Sequence, residues 1–169
     1  WLKTDEKFFK PFRYEVYPHG SVRTLTTVKP FGRDEFDLDI VVHLKSDFAT
    51  HTPAKIYAEL LRRLGENEIF KTRLEAKNRC VRLNYAKDFH LDILPGIQES
   101  KWDENKLMVP DKERKSWVRG NPRGYADWFL AKANRVKESL LEKAMRSENL
   151  PVDRFKNKKQ LQSAVQLIK

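Results

Sequence analysis

Only one cysteine, Cys80, occurs in 169 residues. A lone thiol excludes an intrachain disulfide framework and a zinc site built on several cysteines, and it predicts a reducing, cytoplasmic setting. Long apolar runs are also missing, so no segment of the sequence reads as a membrane span. No apolar leader follows a basic start, so no signal peptide is read. An initiator methionine is absent ahead of Trp1, and no Gly or Pro closes the last apolar stripe before Lys169, so the expectation is a piece of a longer chain. Internal repeats and low-complexity tracts are lacking. The sequence does carry 40% apolar residues, enough for a sizeable core in one domain, or one large domain with an appendage. The net charge of +10 favours anionic partners without choosing among nucleotides, nucleic acid and lipid.

Along the chain, Arg13 to Tyr17 reads as a first strand stopped by Pro18, and Gly20-Ser21 opens a turn, with Val22 to Val28 starting as a helical turn. Residues 29–34 form a loop by their Pro and Gly content. From Phe36 to Leu44 apolar side chains alternate, with Phe36, Leu38, Ile40, Val42 and Leu44 on one face and Asp37, Asp39, Val41 and His43 on the other. Thr52-Pro53 marks a helix start, Ile56, Leu60 and Leu64 recur at helical spacing, and Gly65 marks the stop. Cys80 to Ala86 and Phe89 to Leu94 read as strands joined by a tight Lys87-Asp88 turn, the second ended by Pro95-Gly96. Asn121-Pro122 begins a long helix with a stripe of Tyr125, Trp128, Phe129, the Lys132 stem, Val136 and Leu140. Glu148 to Asn157 is a polar connection, and a last helix starts near Lys158.

The acids at 37 and 39 lie two apart in a strand, so both carboxylates project from one face. Asp92 repeats the pattern among Phe89, Leu91 and Ile93. A plainer reading places these acids at a solvated strand end among many Lys and Arg side chains. Against it, the opposite face of the 36–44 strand is wholly apolar, which predicts a central strand where unpaired acids are costly. Three carboxylates on one sheet repel one another, and a divalent cation relieves that repulsion. A Gly-Ser turn offers backbone N–H groups and a hydroxyl to phosphate. Together these point to phosphoryl or nucleotidyl transfer. The count of three fits two Mg²⁺ (or Mn²⁺) ions about 4 Å apart. Asp34 is out of phase with the pair, and Glu35, although in phase, sits at the loop edge; both read as loop charges.

Gly20-Ser21-Val22-Arg23-Thr24-Leu25-Thr26, Phe36-Asp37-Leu38-Asp39-Ile40-Val41-Val42 and Phe89-His90-Leu91-Asp92-Ile93-Leu94-Pro95 together resemble the DNA polymerase β-like nucleotidyltransferase superfamily. Val109-Pro110-Asp111, Asn121-Pro122-Arg123-Gly124-Tyr125 and the 161–169 segment narrow the resemblance to the bacterial cGAS/DncV-like nucleotidyltransferases of anti-phage systems. The resemblance covers roughly residues 14–169. It implies an α/β (α+β) core, a mixed twisted sheet with helices packed on one side. Residues 1–146 would form the catalytic core, and 147–169 a connection and the first helix of a C-terminal helical part. It further implies that Asp37, Asp39 and Asp92 bind the metal ions and that Gly20, Ser21 and Lys169 contact the donor triphosphate. The reaction expected is joining of NTPs (ATP among them) into a short, cyclic oligonucleotide messenger.

Two other readings stay open on the sequence: nucleotidyl transfer to an RNA or protein acceptor, and a non-catalytic nucleic-acid sensor on the same fold. A protein regulator is a further candidate partner, nucleic acid a secondary one, and no membrane partner is expected. His43 and His90 read as packed or hydrogen-bonded histidines, since their spacing offers no zinc pattern. Trp128 and Phe129 read as helix core, while Tyr125 could be core or stack on a base. Arg23 is either a phosphate contact or a surface arginine. The basic runs at 112–115 and 156–159 read as solvated faces.

Overall fold

In a computed structural model, which describes residues 1–28, 35–85, 89–146 and 160–168, the alternation around Asp37 and Asp39 becomes a nine-residue strand, β2 (Phe36–Leu44). Strand β1 (Tyr14–Pro18) runs antiparallel to it along one edge. Along the other edge β2 pairs in parallel with β5 (Phe89–Ser100). The first half of β5 is flanked by β4 (Val81–Tyr85) and then β3 (Leu74–Ala76), both pairings antiparallel. Its second half is flanked by β6 (Asp103–Asp111) and then β7 (Ser116–Gly120). The result is one mixed, seven-stranded sheet.

β5 does not stop at Pro95-Gly96 as the sequence predicts. Pairing with β4 ends at Ile93 and pairing with β6 begins at Ile97. Pro95 therefore falls where one edge of β5 lacks a registered partner, and its missing N–H is tolerated there. Gly96 is needed for a close approach, because a Cβ on it would lie 2.8 Å from Leu107 Cδ1 of β6.

Helix α2 (Pro53–Gly65) starts as the sequence predicts: the Thr52 hydroxyl accepts from Lys55 N–H at 3.2 Å, and Pro53 occupies the first turn. Its buried face of Ile56, Tyr57, Leu60 and Leu64 packs with Val42, Leu44, Val81, Leu83, Ile93 and Ile97 in the main core. Each such side chain contributes roughly 1.5–3 kcal/mol on burial. A short helix, α3 (Glu68–Lys71), follows, its first turn capped by the Asn67 side chain. The N-terminal segment is pinned to α2 through buried Asp5, which accepts from Phe9 N–H at 3.0 Å and from Arg62 at 2.7 Å.

The face that carries the aspartates is bordered by α1 (Gly20–Thr24) and α4 (Pro122–Arg146). Arg123 of α4 stacks on the Tyr17 ring at 3.9 Å and pairs with Glu15, and Arg23 of α1 reaches Asp127 of α4 at 3.4 Å. Arg23 thus serves as a link between helices. A smaller cluster of Tyr17, Val41, Leu107 and Val109 lies on this face. The buried stripe of α4 is Pro122, Ala126, Phe129 and Ala133. Trp128, expected in the core, is 55% exposed, and Tyr125 is exposed beside it. Small alanines allow α4 a closer approach to the sheet than the indole would, so the aromatic pair is turned outward.

Helix α5 (Gln160–Ile168) is tied to the end of α1, where Gln162 donates to Thr24 C=O at 2.9 Å and Gln166 to Thr27 C=O at 2.6 Å. Asp34, the Lys87-Asp88 turn, the side chains of Val136 and Leu140, the 148–157 connection and Lys169 lie outside the described residues.

Candidate active site

Parallel pairing places Asp39 of β2 opposite Asp92 of β5, and Asp37 opposite His90. Registered residues on neighbouring strands share a face, so three carboxylates two residues or one strand apart converge. One oxygen from each of Asp37, Asp39 and Asp92 lies within 4.8 Å of the others. Asp37 is exposed, whereas Asp39 and Asp92 are half-buried. Burial, reinforced by the charges of Asp37 and Asp92, raises the Asp39 carboxyl above its ordinary value. Burial pushes Asp92 the same way, yet the hydrogen bonds and charge of Arg82 outweigh it and hold Asp92 below the usual range. Such crowding of hard oxygen donors suits a hard divalent cation.

Gly20 approaches this cluster directly. It opens α1 with φ +56°, and a Cβ placed on it would lie 2.1 Å from Asp39 Oδ2. Only glycine fits there, because both the left-handed backbone and the carboxylate exclude a side chain. The preceding residue fixes the approach: His19 N–H donates to the Asp39 carbonyl at 2.8 Å. The Gly20-Ser21 turn read from the sequence is thus the first turn of a helix, whose leading N–H groups have no intrahelical acceptor.

Two neighbours of the triad, Arg82 and Cys80, escaped the sequence reading. Arg82 of β4 donates from Nε to Asp92 Oδ1 at 2.6 Å and from a terminal nitrogen to Oδ2 at 2.8 Å. Cys80 adjoins Asp92, and burial first, then that carboxylate, pushes its thiol up to about 12. His90 lies 2.9 Å from Asp37 through Nε2 and 3.3 Å from Glu35 through Nδ1. Glu35 is therefore more than a loop charge, being connected to the triad through that ring. His43, by contrast, is fully buried away from the triad, and among the described residues neither ring nitrogen has a hydrogen-bond partner.

Beyond the triad a cleft of about 370 Å³ opens along the same face. His19, the residue before Gly20, and Leu94, two past Asp92, form its near wall. Val109 and Val118 form an apolar floor, and Arg79, Arg119, Asn121 and Tyr125 form its polar and aromatic rim.

Residues 2–134 match the family model described as the Second Messenger Oligonucleotide or Dinucleotide Synthetase domain. A c-di-GMP synthase of Roseivirga ehrenbergii is 44% identical over 169 residues, covering 100% of this chain and 45% of that protein. The cyclic dinucleotide synthase CdnG of Bradyrhizobium diazoefficiens is 29% identical over 122 residues, 69% of this chain and 28% of that protein. The structure of that CdnG in complex with GTP superposes with a TM-score of 0.64 at 25% identity, over 77% of this chain and 37% of that one. Vibrio cholerae DncV cyclic AMP-GMP synthase shares the fold, with a TM-score of 0.58 at 21% identity, over 76% of this chain and 36% of that one. The chain thus spans less than half the length of these relatives. Among the described residues, no helix is long and apolar enough to cross a membrane.

Proposed function

This chain belongs to the Second Messenger Oligonucleotide or Dinucleotide Synthetase family, and on that premise we propose that it is the catalytic core of an enzyme that joins NTPs into a short cyclic oligonucleotide. Convergence of Asp37, Asp39 and Asp92 to within 4.8 Å, with Gly20 against Asp39, carries this reading. Residues 1–146 form the core in this proposal, and 147–169 a connection and the first helix of a C-terminal helical part. Guanine nucleotides are the first substrates to test, since the relatives are named as a c-di-GMP synthase and as CdnG bound to GTP. A role in anti-phage defence follows from the resemblance to the cGAS/DncV-like enzymes.

In the reaction a ribose hydroxyl of one nucleotide attacks the α-phosphorus of another, an O–P bond forms, and the bond to the β-phosphate oxygen breaks to release pyrophosphate. Asp37, Asp39 and Asp92 would hold the metal, Mg²⁺ or Mn²⁺, with two ions matching three carboxylates; when bound, it would supply Lewis-acid polarisation of the phosphate and of the attacking hydroxyl. Gly20 and Ser21 present N–H groups and a hydroxyl to the donor triphosphate, and Lys169 is assigned to the same triphosphate. The apolar floor of the cleft accommodates the second nucleoside, and Tyr125 offers a ring for stacking.

Incubating the full-length protein with labelled NTPs and Mg²⁺ or Mn²⁺ tests the proposal. Cyclic product is expected, and Asp37→Asn or Asp92→Asn should reduce it at least a hundredfold. Undiminished product in either variant would remove the triad from the mechanism. Label appearing on added RNA or protein instead would redirect the assignment to an acceptor-modifying transferase.

A further inference from the structure

Register between β4 and β5 sets Arg82 opposite Asp92, on the face that carries the triad. The guanidinium engages both Asp92 oxygens at 2.6 and 2.8 Å, and lies 3.9 Å from Asp37. Both partners are largely withdrawn from solvent, with side chains 22% and 16% exposed. This planar two-point pairing fixes the carboxylate as well as neutralising it. His90 approaches the triad from the Asp37 side, with Nε2 2.9 Å from that carboxylate. Arg82 thus bridges carboxylates from both parallel strands.

We propose that Arg82 is the resident counter-ion of the triad: it holds Asp92 in its ligand geometry and at the same time weakens the binding of free divalent cations. The proposal rests on the reading of Asp37, Asp39 and Asp92 as a metal site. Three carboxylates and one guanidinium leave two net negative charges on the cluster where three would otherwise stand. A cation entering beside Asp92 meets the positive charge of Arg82 at short range, in a half-buried setting where solvent screens the repulsion weakly. The triphosphate brings the negative charge that Arg82 removes. Arg82 therefore ties firm ion binding to the presence of nucleotide, and it keeps the empty cluster from forcing its strands apart by like-charge repulsion. Arg82 is a positioning residue in this scheme, since it acts through Asp92.

The test is Mn²⁺ binding to the full-length protein without nucleotide, by calorimetry and by the electron paramagnetic resonance of free Mn²⁺, for wild type, Arg82→Gln and Arg82→Lys. Arg82→Gln removes the charge and is expected to bind Mn²⁺ about tenfold tighter, the direction set by the lost repulsion. Its melting temperature without metal should fall below wild type and recover on adding Mn²⁺. Arg82→Lys keeps the charge and should stay within about threefold of wild type, by the same reasoning. Equal or weaker binding in Arg82→Gln overturns the proposal, because a purely structural fork gives that result. A tenfold change in Arg82→Lys overturns it as well, and that measurement decides the matter should Arg82→Gln not fold. If wild type binds no Mn²⁺ and neither variant does, the metal-site reading fails and the proposal with it.

Discussion

Replacing Gly20 by alanine should damage the site far more than the fold. Two costs can be separated. Holding a non-glycine residue at the φ of +56° seen at Gly20 costs about 1–2 kcal/mol. For a domain of this size that lowers the melting temperature by about 2–8 °C. The second cost falls on Asp39, because the new methyl would lie 2.1 Å from Oδ2 and 3.0 Å from Cγ. Ordinary contact requires the carboxylate to retreat by about 1 Å or more, and misplacement on that scale costs about a hundredfold in rate. In the full-length protein, product formation from labelled NTPs should therefore fall about a hundredfold or more, and Mn²⁺ binding should weaken. Serine at the same position should behave like alanine, since both carry the offending Cβ. An alanine variant with the small drop in melting temperature but unchanged turnover and Mn²⁺ affinity would refute the reasoning, because Asp39 would then be free to move without consequence.

Two further outcomes concern stability. Burial, helped by the charges of Lys45 and Arg123 against the opposing effect of Glu15, holds His43 down to about 4, below its ordinary 6.5. The unfolded chain therefore takes up that proton first, and stability present above about pH 6.5 should decline as the pH falls toward 4, by about 3 kcal/mol at most. Urea titrations at pH 7 and 4.5 should show a shallower loss in His43→Leu than in wild type; parallel losses would exclude His43 as the source. Asp5→Ala should destabilise by about 3 kcal/mol, because it strips a buried partner from Arg62 and from the Phe9 N–H. Asp5→Asn should cost less, and urea midpoints that do not separate the two variants would contradict this account of the N-terminal segment.

The triad was legible because strand parity is a local property: Asp37 and Asp39 share a face whatever their neighbours do, and Asp92 repeats the pattern. Thr52-Pro53 and Asn121-Pro122 were legible for the same reason, as helix starts are encoded within four residues. Arg82 was not, since its role depends on pairing register. A two-residue Lys87-Asp88 turn would set Ala86 opposite Phe89 and Leu83 opposite Asp92. The observed pairing sets Tyr85 opposite Phe89 and Arg82 opposite Asp92, and that one-residue difference exchanges an apolar neighbour for a cation. Trp128 was misplaced for a related reason. A stripe picked by aromatic size competes with one of small residues rotated part of a turn away, and the sheet selected the alanines. Lys169 and the outer stripe of α4 fall beyond the described residues or side chains.

The parallel pairing of β2 with β5 has a consequence for how the triad is assembled. Antiparallel neighbours such as β4 and β5 join through a short connection and can pair early. Asp39 meets Asp92 only after the intervening crossover, with α2, α3, β3 and β4, has closed. Loop-closure entropy makes that non-local step slow compared with hairpin formation. A partly unfolded chain thus holds its acids as a pair and a singlet, and the triad is complete only once that crossover has closed.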